Sequence, residues 1–172
     1  MIRCLFALLF CLFISCDDGD LQIEIIDFDD ATIDFCETTT DINSTFFFKL
    51  NPNEALILDL QSGLLQNEAS DTTIVSNVPG QSQVTYRTFD GQINKNYFCD
   101  QLPPSEPVVL EEILAEGGQV LVNTVQSESD TTVYEHTIEL SGISLVNSNG
   151  ERITNLNIDD FGTITTSEEE EN

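Results

Sequence analysis

The sequence predicts an all-β fold, an antiparallel β-sandwich of about nine or ten short strands with at most one short helix. Three observations predict it. Apolar residues alternate with polar ones over short runs, the period of a half-buried strand. Turn-forming pairs punctuate those runs, at Pro79-Gly80, Asp90-Gly91 and Asn149-Gly150. One stretch reads as a candidate helix, Val108 to Glu116, closed by Gly117-Gly118.

The elements follow in order. "LQIEI" places Leu21, Ile23 and Ile25 on one face, and Ile26 and Phe28 then switch the phase as a β-bulge does. "TFFFKL" puts Phe46, Phe48 and Leu50 on one side, and "EALILDL" does the same with Leu56, Leu58 and Leu60. "TTIVSNV", "SQVTYRTF" and "QINKNYF", joined at Pro79-Gly80 and Asp90-Gly91, read as a meander. The prolines of "LPPSEP" suit a crossover between sheets better than a central strand. "QVLVNTV", "TVYEHTIEL" and "ISLV" are strands, and Asn149-Gly150 leads to a last one, "RITNLNI". The spacing fits an immunoglobulin-like or jelly-roll-like sandwich, with a small barrel as the alternative. The final "SEEEEN" is a charged, disordered tail.

The amino terminus is of a different kind. Met1-Ile2-Arg3 is a short basic start, and "CLFALLFCLFI", Cys4 to Ile14, is unbroken hydrocarbon. A spanning helix needs about 20 apolar residues, so this run has the length of a signal-peptide core. It stops at Ser15, Cys16 follows, and Asp17, Asp18 and Asp20 come next. The chain therefore divides into a leader (1–15), a short acidic tether (16–20), one domain (21–166) and the tail (167–172).

"FISC", Phe13 to Cys16, resembles the lipobox of bacterial lipoproteins, with Phe13 where Leu is usual. The resemblance implies acylation of Cys16, cleavage before it and a membrane anchor of several acyl chains. "CDDGD" resembles the surface-export signal of Bacteroidetes-type lipoproteins, with Asp17, Asp18 and Asp20 as its acids; a plain solvated tether is the other reading. "NYFCDQLPPSEP", "GGQVLVNT" and "YEHTIEL" resemble, more loosely, uncharacterised lipoproteins of the same group. The expected address is the cell envelope, as an outer-membrane lipoprotein exposed at the surface.

Without Arg3 the chain has 31 acids against Lys49, Arg87, Lys95 and Arg152, a net charge of 4 − 31 = −27. That surface repels phosphates, so nucleic acid is not an expected partner; a protein or a glycan is. Cys36 and Cys99 are the two cysteines of the body, and in an exported chain they are expected to pair.

Catalytic chemistry is thinly represented. His136 is the only histidine, and it alternates with Tyr134, Ile138 and Leu140 on the apolar side of its strand. A core histidine is the expected reading. No Gly-x-Ser-x-Gly elbow and no Cys-x-x-Cys pair occur. Calcium is the metal best matched to the composition, with Asp27, Asp29, Asp30 and Asp34 of "DFDDATID" as candidate ligands and Asp159 and Asp160 as further acids. The EF-hand pattern fails, since its glycine position falls on Thr32 and its last position on Thr38. Asp71-Thr72-Thr73 and Asp130-Thr131-Thr132 resemble the Asp-Thr-x sites of O-glycosylation in exported proteins of that group, which implies modification at Thr72 and Thr131. The expected function is a binding or accessory module without evident catalysis, the alternative a small secreted carboxylate-dependent hydrolase, with calcium as its possible cofactor.

Overall fold

The computed structural model describes residues 26–102, 104–150, 152–153 and 159–168. Cys16, the acids Asp17, Asp18 and Asp20, the "LQIEI" run and most of "RITNLNI" and of the tail lie outside them. The described elements are β1 (Phe46–Asn51), β2 (Glu54–Asp59), β3 (Ile74–Asn77), β4 (Gln83–Phe89), the one-turn helix α1 (Asn96–Cys99), β5 (Val109–Gln126), β6 (Val133–Val146), β7 (Arg152–Ile153) and β8 (Asp160–Ser167). The fold is all-β and antiparallel throughout. Eight strands are described, against the nine or ten expected, and they join in one sheet of order β1-β2-β4-β5-β6-β7, with β3 added on β5 and β8 on β6.

Two long bent strands explain why one sheet can serve where two were expected. The first part of β5 pairs with β4 and the later part with β3, while β6 follows it along the other edge. Along β5 the buried positions are Ile113 and Ala115, then Val120, Val122 and Thr124, so the inward parity flips between Ala115 and Val120. Register shifts fall at Gly117 and on either side of it. β6 flips in the same way, from Ile138 and Leu140 to Ile143 and Leu145, across Gly142. Each slip turns a strand over, so one chain contributes inward faces to both halves of the curled sheet. A single buried cluster accordingly takes Phe47, Leu58 and Tyr86 from one half and Val122, Ile138 and Phe161 from the other.

The expected helix at Val108–Glu116 is therefore overturned: from Val109 on, this stretch is the first part of β5. Its alternating burial wins over helix propensity, and Gly117-Gly118 is a strand bend rather than a helix stop. The expected meander is corrected as well. β3 and β4 do not pair with each other; they diverge to β5 and to β2 and β5. Asp90-Gly91 does not close a tight hairpin. Asp90 instead pins the far end of a long excursion, since its N–H donates to the Val108 carbonyl at 3.1 Å and its Oδ1 accepts from the Val108 N–H at 2.7 Å. Within that excursion "QINKNYF" holds α1 rather than a strand. β8 was not anticipated as a strand, because Gly162 interrupts its alternation of Phe161, Ile164 and Thr166. Asn149-Gly150 does make the expected turn, between β6 and β7.

The half containing β1, β2 and β4 is covered on both faces. Phe47, Leu56 and Leu58 face the main core. Phe48, Ala55, Ile57, Phe89 and Ile93 make a second cluster on the other face, against Tyr97 and Phe98 of α1. The Cys36–Cys99 disulfide, with Cα atoms 5.1 Å apart and a sequence separation of 63, staples α1 to the segment before β1. In the chain-entropy view, closing such a loop stabilises the fold by about 4 kcal/mol.

Candidate functional site

β1 and β8 are terminal strands, one pairing only with β2 and the other only with β6 among the described strands. The segment 29–40 runs between them. It is tied to β1 by a bridge between Asp34 and Phe48, with N–H···O distances of 2.7 and 2.9 Å, and to β8 by the Thr40 hydroxyl donating to the Thr165 carbonyl. Where segment 29–40, β1 and β8 meet, a groove of about 440 Å³ opens, with Lys49 from β1, Asp29 and Thr32 from the segment, and Asp160 and Thr163 from β8 among its walls. That volume lies within the ~300–1,000 Å³ usual for small-molecule sites.

Lys49 is the unusual residue here. Three consecutive phenylalanines force both faces of β1 inward, so Lys49 shares the core-facing side of Phe47 and is only 4% exposed. Burial lowers its pKa, an effect opposed by the carboxylates of Asp160, Asp29 and Asp27. It makes no ion pair within 4.0 Å among the described residues. The lysine stem is packed away while its ammonium, facing these carboxylates, lines the groove as a donor that a ligand could use.

The carboxylates proposed for calcium do not converge. Asp34 faces Lys95 at 3.9 Å, Asp27 Oδ1 accepts the Asp29 N–H at 3.0 Å, and among the described residues no three acids, histidines or cysteines form a metal-binding group. The cation that Asp27, Asp29 and Asp160 surround is the chain's own Lys49. The sequence pattern singles out these acids but not this lysine.

His136 lies in the core, as its alternation predicted, fully buried. Its Nδ1 is 2.8 Å from Thr124 Oγ1 and its Nε2 2.8 Å from Thr166 Oγ1. Thr166 spends its own proton on Asn67 Oδ1, so it accepts from His136, which places the proton on Nε2. Both ring nitrogens are thus engaged, and burial pushes the pKa down to about 4. This neutral imidazole is structural and does not reach the groove.

Neither disulfide cysteine lines the groove, although Cys36 directly follows Phe35, which does. Thr72 and Thr131 are exposed, in the loops before β3 and β6. Beside Thr131, Asp130 accepts the N–H and hydroxyl of Thr132, at 3.0 and 2.7 Å, which lowers its pKa. The carboxyl that burial raises, Asp59, faces Arg87 and does not line the groove. Among the described residues no helix is long and apolar enough to cross a membrane. Comparison with protein-family models, with curated proteins and with solved structures finds no match to the chain.

Proposed function

We propose that the chain is a lipid-anchored lipoprotein of the cell envelope, carried on the outer membrane and displayed at its surface, whose β-domain acts as a binding or accessory module. The observation that carries the binding half is the groove between β1 and β8, with a buried lysine and two carboxylates on its walls. Lys49 and Asp160 sit on strands of the sheet and Asp29 on the segment that bridges them, so a strand scaffold positions two of the three groups. The anchoring half rests on the leader, Ser15-Cys16 and the acids that follow. The exposed Thr72 and Thr131 suit O-glycosylation of an exported protein. Carboxylate-dependent hydrolysis is the second reading, and it draws on Asp29 and Asp160 lining the same groove.

The anchor is tested by Cys16→Ser. Cells fed labelled fatty acid should label the parent chain and leave the variant unlabelled; label that persists in the variant overturns the lipobox reading.

A further inference from the structure

We infer that the occupant of this groove is an uncharged polyhydroxyl ligand, a short saccharide segment, with Lys49 donating to its hydroxyl oxygens and Asp29 and Asp160 accepting from its hydroxyl protons. This rests on the binding-module reading and gives it a ligand class.

The argument is one of donors and acceptors. An ammonium can only donate, and an ionised carboxylate can only accept. A ligand lying in a groove walled by both must do the reverse twice within a small volume. A hydroxyl accepts and donates at once, so neighbouring hydroxyls on one ring can satisfy Lys49 and a carboxylate together without bringing net charge. An anion would suit Lys49 but meet Asp27, Asp29 and Asp160, on a chain with 31 acids. A cation would suit the carboxylates but meet the Lys49 ammonium. Metal coordination lacks its converging ligands among the described residues. The remaining walls fit the same class: the half-buried Ile33 and Phe35 offer apolar surface for ring C–H groups, and the exposed Thr32 and Thr163 offer hydroxyls.

The test is calorimetric titration of the full chain in detergent. The neutral probes are maltotetraose, cellotetraose, mannotetraose and xylotetraose; tetragalacturonate and tetralysine are the charged ones. At least one neutral probe should bind, with an affinity insensitive to salt because the ligand carries no charge. Lys49→Met should weaken it about tenfold or more, since hydrogen bonds to a charged group are lost. Asp160→Asn should weaken it as well, which guards against a Lys49 variant that fails to fold. Neutral binding that survives Lys49→Met overturns the assignment. Tetragalacturonate or tetralysine binding, lost in Lys49→Met while no neutral probe binds, overturns the saccharide class and leaves the binding module standing. Heat from none of the six probes overturns both.

Discussion

His136 and Lys49 are two buried ionisable residues with opposite fates. His136 gives up its charge and keeps two hydrogen bonds, so it is stable as a neutral ring. Its folded pKa of about 4 lies below the unfolded value of 6.5. The unfolded chain therefore takes up a proton first as pH falls. The sign follows: this group costs nothing above the unfolded value, and stability drains away as pH falls from 6.5 toward about 4. The loss from neutral pH to the folded pKa is about 3 kcal/mol. Urea unfolding of parent and His136→Gln along that range should show the pH slope reduced by about that amount in the variant; identical slopes would contradict the buried, neutral imidazole. The histidine was legible because its strand alternates cleanly. The lysine was not, because a lysine in a strand ordinarily reads as solvent-facing. The signal that could have found it is the neighbouring run Phe46-Phe47-Phe48, which leaves β1 no solvent face for Lys49 to use.

At the scale of elements, glycine decides the shape. Gly118 sits at φ +124°, and a Cβ there would lie 2.7 Å from Ile143 Cδ1 and 2.8 Å from Ile143 Cα. The backbone atom cannot move aside cheaply, and an L side chain is strained at that φ. Gly142 is bent too, at φ +61°, but its Cβ position is open. Gly118→Ala should therefore lose about 2 kcal/mol or more and Gly142→Ala about 1 kcal/mol, read from urea midpoints. Equal losses would contradict a close approach of β5 to β6 at this bend. These same glycines show why the sequence misled. Gly117-Gly118 after an apolar run matches a helix stop as well as a strand bend. The distinction lies in the pairing with Leu145 and Ser144 of β6, contacts that local pattern does not contain. β2, a short apolar run between acids, and the first part of β6, with its clean alternation, were legible as strands. Asp90-Gly91 carried a hairpin signal, yet the partner of Asp90 is Val108, beyond α1 and the prolines.

At the scale of the whole molecule, charge and topology act together. The chain's formal net charge of −26 favours hydration of its surface and disfavours the approach of polyanions. The curled sheet leaves β1 and β8 unpaired with each other, and segment 29–40 bridges the gap instead of a ladder of backbone bonds. The groove is thus a consequence of topology, which explains why its members, at positions 29, 49 and 160, are far apart in sequence and were not read as one site. The outward row Val108, Leu110 and Leu114, with Leu110 67% exposed, offers a different surface for a ligand to use. Hydrogen exchange of the full chain, free and saturated with the tightest of the four neutral tetrasaccharides, decides between these surfaces. Protection confined to segment 27–40, β1 and β8 is the predicted result. Protection along the first part of β5 instead, or no protection anywhere, would contradict a binding site at the meeting of β1 and β8.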